Sequence, residues 1–220
     1  MNQKVSCEDL VEILEHKSEL STTQLLAGLS FLKNNLDINQ PIIALLPGSR
    51  LQEIKKVLPV FLSITNMFKS YQFVIGGIKS IDKEKYDKLT KHKNVKVVFN
   101  QTYNLLANAK AAIVTSGTAS LEAAIFKIPQ VVCYKTSFIT YLIGKMLVNI
   151  KYISLVNLIL NDRIVNELVQ GELNSNNLKN SINKILKKDN RLEMINAYNN
   201  LINMLYAENP SRKTAELIVR

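Results

Sequence analysis

Residues 111–126, AAIVTSGTASLEAAIF, are the stretch of sequence that decides the fold prediction. An apolar run rich in β-branched residues ends at Ser116-Gly117, and an Ala-rich run follows as far as Phe126. This pattern predicts a buried strand, a tight turn and a helix. In α/β proteins, ligands bind at such turns, where the chain leaves the carboxyl end of a parallel strand. The turn is therefore the first candidate for a binding site.

The start of the predicted helix has the chemistry of an anion-binding site. Gly117 allows a close approach of the backbone to a ligand, and the N–H groups of residues 118–120 would point out of the helix towards an anion. Ser116 and Thr118 add hydroxyl groups. Glu122, one turn into the helix, can accept hydrogen bonds from a pair of sugar hydroxyls. A purely structural interpretation stays open, in which Ser116 caps the helix and Glu122 complements the helix dipole.

A second polar turn, PGSR at residues 47–50, follows another apolar run, IIALL at residues 42–46. Arg50 is always charged and can bind a phosphate group through two parallel hydrogen bonds. Both turns fall at the carboxyl ends of predicted strands, so together they predict a cradle for a nucleotide diphosphate. The structural alternative for Arg50 is a solvated residue in the first turn of a helix.

The alternation of strands and helices predicts an α/β fold with a doubly wound, mostly parallel sheet followed by C-terminal helices. Residues 1–40 are predicted to be a helical lead-in that ends before Pro41, and residues 41–220 the domain itself. After residue 137 the strand pattern fades, which predicts an extended segment over 152–160 and helices elsewhere. The predicted strands are 42–46, 71–75, 95–99, 111–115 and 130–134, and the predicted later helices are 138–148, 162–169, 175–188 and 191–206.

Composition narrows the class of protein. The 220 residues are 47% hydrophobic and 21% charged, which is typical of a globular protein and excludes disorder. The net charge of +10 would suit nucleic acid, but the lysines are scattered, without an Arg-rich stripe or interleaved aromatic residues. No nucleic-acid partner is therefore expected, and a phosphate-rich substrate or an anionic membrane surface fits the charge instead.

Cysteine usage and the hydropathy pattern bear on location. Cys7 and Cys133 are too few for a disulfide framework or a zinc site, which indicates a reducing cytoplasm and no metal. No signal peptide is predicted over residues 1–20, and no apolar run reaches the roughly 18–20 residues that a membrane span needs. The predicted location is the cytoplasm. The apolar helix over 138–148 either packs into the core or touches an anionic lipid surface, so a peripheral contact with the inner membrane stays open.

Four motifs in one order carry a resemblance to a known family. They are IALLPGSR at 43–50, followed by Glu53-Ile54, then SGTASLE at 116–122, KYISLVNL at 151–158 and ELVQ at 167–170. Over residues 40–220 the chain resembles the C-terminal half of the lipid-A-disaccharide synthase family. That family consists of inverting glycosyltransferases of the GT-B type, which have two Rossmann-like domains. Its members transfer diacylglucosamine from UDP-2,3-diacylglucosamine to lipid X, and the product is the disaccharide precursor of lipid A.

The resemblance implies a set of residues that bind the UDP-sugar. Arg50 would meet the diphosphate, the turn 116–118 would line the same site, and Glu122 would hold the ribose hydroxyls. No metal or cofactor is implied. Lys135 stands where the family often has arginine, and Val156 where many members have proline. The full implied set is Gly48, Ser49, Arg50, Ser116, Gly117, Thr118, Glu122, Asn157, Glu167 and Gln170, of which the last three match motif positions without an assigned role.

The family's acceptor-binding N-terminal domain has no counterpart in residues 1–40, which are expected to be a remnant of a longer N-terminal region. We therefore expect a fragment, a split gene product, or an acceptor side supplied by a companion chain or a second copy in a homodimer. No catalytic residue is predicted. Two alternatives remain: another UDP-sugar transferase or epimerase of the GT-B type, and a nucleotide-binding module without chemistry.

Overall fold

Six parallel strands form one sheet in the computed structural model, which describes residues 36–37, 40–91, 94–136 and 151–207. The predicted lead-in over 1–40 falls almost wholly outside the described residues, and the predicted apolar helix over 138–148 falls wholly outside them. The strand order is β3-β2-β1-β4-β5-β6. The strands are β1 (Ile42–Leu46), β2 (Gln72–Gly77), β3 (Val95–Phe99), β4 (Ala109–Thr115), β5 (Gln130–Tyr134) and β6 (Asn166–Val169).

Helices connect the strands and cover both faces of the sheet. Right-handed crossovers place the helices between β1, β2 and β3 on one face and those that lead into β5 and β6 on the other. This arrangement confirms the predicted α/β, doubly wound fold. The helices are α1 (Leu51–Ser63), α2 (Lys83–Thr90), α3 (Thr102–Asn108), α4 (Thr118–Ile125), α5 (Leu155–Leu160), α6 (Ser175–Leu186) and α7 (Lys188–Ala207), with short 3-10 turns at Thr65–Met67 and Gln170–Glu172.

The core lies between the sheet and its helices. All five residues of β1 are buried, as expected for a central parallel strand that is covered on both faces. Helix α1 adds Ile54, Leu58 and Phe61, which recur at helical spacing and are each fully buried. Complete burial of such a side chain stabilises the folded state by about 1.5–3 kcal/mol relative to leaving it exposed. The apolar periodicity of the sequence therefore accounts for both the strands and the face that each helix presents.

Two predicted elements after residue 150 are wrong. The segment over 152–160 is the helix α5 instead of an extended chain, because Ser154 caps its start by accepting a hydrogen bond from the Asn157 N–H, at 3.1 Å. The predicted helix over 162–169 contains the sixth strand, since β6 pairs with β5 in parallel, with Glu167 opposite Val132. The prediction of helices alone after residue 137 is corrected accordingly.

The second strand, predicted over 71–75, continues through Gly76 to Gly77. A Cβ atom on Gly76 would lie 2.6 Å from Leu46 Cδ2, too close for any side chain. Glycine at this point lets the extended backbone of β2 pack closely against the Leu46 side chain, which would have to move to accommodate any larger residue.

Two further observations concern the interior and the surface. Cys133 is fully buried in β5, and burial raises the pKa of its thiol. None of the described helices combines the length and apolar character that crossing a bilayer requires.

Candidate functional site

Two loops meet at the carboxyl edge of the central strands β1 and β4. Leu46, the last residue of β1, pairs with Val114 of β4, so residues 47–50 and 116–118 leave the sheet side by side. The Thr115 hydroxyl donates a hydrogen bond to the Leu46 carbonyl at 3.1 Å and ties the two strand ends together. Between β1 and β4 the chain order reverses, since β2 and β3 lie to one side and β5 and β6 to the other. Ligands of doubly wound proteins bind at this kind of switch point.

Gly48 fits the first loop closely against β4. Its φ is +101°, in a region that side chains rarely adopt. A Cβ atom there would lie 3.0 Å from Glu53 Oε2 and 3.1 Å from Thr115 Oγ1. The loop can therefore lie against the end of β4 only with glycine at this position.

Arg50 stands at the start of α1 with its side chain 63% exposed. Its Nη1 atom lies 3.3 Å from Glu53 Oε1, an ion pair between neighbouring turns of the helix. Such exposed pairs contribute only about 0–1 kcal/mol. The guanidinium can therefore turn towards an anion at little cost. Ser49, beside it, is also exposed.

The second loop has open space beside Gly117 within the part of the chain that the structure describes. Gly117 has φ +149° and ψ −161°, a combination that only glycine adopts readily. Apart from Gly117 itself and the residues next to it in the chain, no atom of the described structure lies within 4 Å of where its Cβ would be. A ligand can therefore approach the backbone here.

Both helix starts at this edge present unpaired backbone donors. In α4 the Ser120 N–H and hydroxyl both donate to the Gly117 carbonyl, at 3.2 and 2.8 Å, so only the N–H groups of Thr118 and Ala119 remain without a partner in the described part of the chain. In α1 the N–H groups of the first two residues, Leu51 and Gln52, likewise have no hydrogen-bond partner among the described residues. The expectation of three available donors in α4 is corrected to two. Helix starts of this kind favour anions.

Glu122 is half-buried in α4. Burial raises the pKa of its carboxyl group. Among the described residues its side chain makes no hydrogen bond or ion pair. Its acceptor oxygens are therefore available to hydroxyl groups, which agrees with the predicted contact to a ribose without testing it.

Ser116 does not cap α4, because the capping residue is Gly117. Its hydroxyl donates instead to the carbonyl of Ile153, at 2.6 Å. The structural interpretation of Ser116 as a helix cap is therefore wrong. The contact brings residues that precede α5 to the edge of the site, and the sequence spacing gave no indication of it.

Asn157 and Glu167 lie together beneath that contact. The Glu167 carboxylate accepts hydrogen bonds from the N–H groups of Ile153 and Ser154 and from the Asn157 side chain, at 3.0, 2.9 and 2.9 Å. Asn157 is fully buried and also exchanges two hydrogen bonds with the backbone of Val165, each 2.9 Å long. These two residues therefore support the loop that Ser116 contacts. Their direct part in ligand binding stays a prediction.

Gln170 lies apart from the others, directly after β6, the edge strand two positions from β4. The backbone angle φ of Gln170 is 51°, which is unusual for any residue other than glycine. Its Nε2 atom is buried and has no hydrogen-bond partner in the described structure. A strained backbone together with an unused buried donor is a combination that clusters at functional sites.

Comparisons with known proteins identify the family and the fold type. The model of the lipid-A-disaccharide synthetase family matches residues 27–219. The lipid-A-disaccharide synthase of Psychromonas ingrahamii is 32% identical over 192 residues, which cover 84% of this chain and 50% of the relative. That of Syntrophus aciditrophicus is 36% identical over 160 residues, covering 70% and 42%. Among solved structures, HepE of Anabaena in complex with UDP and glucose has a TM-score of 0.56 at 14% identity, covering 88% of this chain and 52% of that one.

The likeness to HepE shows the fold alone, because the sequences are too different to carry more. The chain spans about half the length of the curated relatives it matches. The four motifs quoted from the sequence all lie inside the matched region. Since the family model covers most of the chain, from residue 27 to residue 219, the chain belongs to the lipid-A-disaccharide synthetase family.

Proposed function

We propose that residues 41–220 are the donor-binding half of a glycosyltransferase of lipid A biosynthesis and hold the UDP part of a UDP-sugar at the edge of β1 and β4. The observation that carries the proposal is the pairing of two helix starts, α1 and α4, on adjacent strands at the switch point of the sheet. Each offers two unpaired N–H groups to the two phosphates of a nucleotide diphosphate. The solved complex of HepE with UDP and glucose, which shares the fold, supports this choice of ligand.

In this proposal each predicted residue has a place around UDP. Arg50 and the loop that contains Gly48 and Ser49 meet the diphosphate, and the turn 116–118 lines the opposite side. Glu122 accepts hydrogen bonds from the ribose hydroxyls, since its oxygens have no other described partner. Gln170 stands on the side of β6, and the buried pair Asn157 and Glu167 supports the loop that Ser116 contacts.

The reaction we propose is the inverting transfer of diacylglucosamine from UDP-2,3-diacylglucosamine to lipid X. As the bond to UDP breaks, negative charge grows on the diphosphate, and Arg50 with the N–H groups at the starts of α1 and α4 would stabilise it. The attacking hydroxyl of lipid X also needs a base within about 2.6–3.2 Å, and we assign none of the described residues to that role. We place the acceptor side in a further polypeptide segment or partner chain, because the curated relatives are about twice as long as the region they share. Such a reaction would take place in the cytoplasm, with peripheral contact to the inner membrane that carries the acylated substrates.

The test is isothermal titration of the full chain with UDP. We expect saturable binding, and we expect Arg50→Ala to weaken it roughly 10- to 100-fold, because a hydrogen bond to a charged group contributes about 1.5–3 kcal/mol. Arg163→Ala is the matched control, since Arg163 is equally an exposed arginine but precedes β6, at the opposite edge of the sheet. Absence of binding, or equal losses in the two variants, would refute the proposed site.

A second titration separates the proposed donor from the alternatives. UDP-N-acetylglucosamine that binds as tightly as UDP-2,3-diacylglucosamine would favour another UDP-sugar enzyme of the same fold. Preference for the acylated donor would favour lipid A synthesis.

A further inference from the structure

The backbone of Ile153 and Ser154 is held from two sides, and we call these two residues the 153–154 segment. From the side of β4, the Ser116 hydroxyl donates to the Ile153 carbonyl at 2.6 Å. From the side of β6, the two carboxylate oxygens of Glu167 each accept one N–H, from Ile153 at 3.0 Å and from Ser154 at 2.9 Å. Three backbone groups of the segment are therefore fixed by two side chains that lie on either side of β5.

Glu167 is itself held in place. Only 8% of its surface is exposed, and a third hydrogen bond, from the Asn157 side chain at 2.9 Å, reaches the oxygen that also binds Ser154. Asn157 is locked by two hydrogen bonds to the backbone of Val165. A carboxylate that accepts three N–H donors in a mostly buried position needs all of them, because burying a charge without hydrogen bonds is costly. The arrangement is therefore rigid.

The Gly117 turn depends on this arrangement for its position. The Gly117 carbonyl accepts from the Ser120 N–H and hydroxyl at the start of α4, but no described residue beyond its two chain neighbours lies within 4 Å of its Cβ position, and glycine has more backbone freedom than any other residue. The turn is instead fixed by Ser116, whose N–H donates to the Cys133 carbonyl at 2.9 Å and whose hydroxyl contacts the 153–154 segment. Loss of the hydroxyl contact would leave Ser116 with a single hydrogen bond to the rest of the fold, the one to the Cys133 carbonyl.

We propose that Glu167 and Asn157 are positioning residues, which act through the 153–154 segment and Ser116 to hold the turn 116–118 in the conformation that binds the diphosphate. The proposal rests on the proposed function, since UDP is the ligand whose affinity reports the effect. Fixing the turn before binding raises affinity because less freedom is lost when the ligand arrives. In this assignment Ser116 and Glu167 act as one unit, although 51 residues of sequence separate them.

The test is a double-mutant cycle on UDP affinity, measured by isothermal titration. We expect Ser116→Ala to weaken binding about 2- to 13-fold, the equivalent of one net hydrogen bond, and Glu167→Gln to weaken it by at least as much, because Ile153 and Ser154 donate to different oxygens of Glu167 and an amide keeps only one accepting oxygen. The double variant should bind about as well as Glu167→Gln alone, since residues that act through one element are not additive. In both single variants, hydrogen exchange of the Ile153 and Ser154 amides should become faster.

Asn166→Ala is the matched control. Asn166 precedes Glu167 in β6, faces the other side of the sheet and donates to the Ser181 hydroxyl at 2.7 Å. This variant should lose stability while it keeps UDP affinity and slow exchange at the 153–154 segment. If Glu167→Gln does not fold, Ser116→Ala alone decides through its affinity and its exchange rates.

The possible failures are distinguishable. A wild-type chain that does not bind UDP would overturn the proposed function and this role together. A wild-type chain that binds UDP, with unchanged affinity in Ser116→Ala and Glu167→Gln, would overturn the positioning role alone. Losses that multiply in the double variant, or slow exchange at the 153–154 segment in Ser116→Ala, would also overturn it, because Ser116 would then act by touching the ligand.

Discussion

Replacing three glycines with alanine separates backbone strain from steric crowding at the two loops. Gly48 combines a left-handed φ with close neighbours, Gly117 has the unusual backbone without neighbours, and Gly171 has neither. The same added methyl group therefore meets three different environments in one protein. The comparison needs no assumption about the ligand.

The expected losses of stability follow from these environments. At Gly117 the backbone strain alone should lower the free energy of unfolding by about 1–3 kcal/mol. At Gly48 the methyl group would also press on Thr115 Oγ1, 3.1 Å away, which is held by its hydrogen bond to Leu46. Crowding of this kind adds about 1–3 kcal/mol, which brings the total to roughly 2–6 kcal/mol. Gly171→Ala should be neutral or stabilise the fold by about 0.4–1 kcal/mol.

Urea unfolding followed by circular dichroism measures these differences, provided that the slope of the transition stays constant between variants. Titration with UDP adds a second readout. Gly117→Ala should weaken UDP binding even where the variant is fully folded, because the methyl group enters the space left for the ligand. Equal stability of Gly48→Ala and Gly171→Ala would refute the reasoning, since it would mean that the loop does not lie against Thr115 as described.

Three further predictions concern single sites and the whole chain. Burial raises the pKa of Glu122 in the folded state, so the contribution of Glu122 to stability is lost as pH rises from about 4.3, the pKa in the unfolded chain, through the pKa in the folded chain. Over that pH interval, urea unfolding should show that Glu122→Gln gains stability relative to the wild type. A stability difference that does not change with pH would contradict this. Gln170→Ala should keep or raise the melting temperature, since it removes a buried donor without a described partner, yet weaken UDP binding in titration; a large loss of stability would show that the amide has a structural partner. Finally, the purified chain should form no lipid A disaccharide from UDP-2,3-diacylglucosamine and lipid X by mass spectrometry until an N-terminal domain of a relative is added, and turnover by the chain alone would contradict the assignment of a donor half.

Local sequence patterns were sufficient for most of the fold. The first five strands are apolar runs bounded by turn residues, and the central one, β1, is buried along its whole length, so the pattern and the environment agree. The sixth strand has the sequence NELV at 166–169, too short and polar to indicate a strand by itself. It is a strand because β5 provides a partner, and such long-range pairing is not visible in a local window.

The same distinction applies to the candidate site. Gly48 and Gly117 were identifiable because turn chemistry is local, and the structure finds both with backbone angles that favour glycine. The helix α5 carries a local signal that the apolar run concealed, namely Ser154, a residue type that favours the N-cap position. The role of Glu167 had no such signal, since its partners at 153–154 are backbone groups that any residue would supply.

Cys133 gives the site a built-in chemical reporter. Its thiol is sealed inside β5 with a raised pKa, while its carbonyl accepts the hydrogen bond from the Ser116 N–H. An alkylating reagent can reach this sulfur only when the packing around β5 opens, because the side chain is fully buried and burial also disfavours the reactive thiolate. The rate at which the peptide carrying Cys133 becomes labelled thus reports how often the structure opens around β5, the strand to which the binding turn is hydrogen-bonded. A ligand that closes this edge would slow the labelling, so occupancy becomes measurable by mass spectrometry on the unmodified chain.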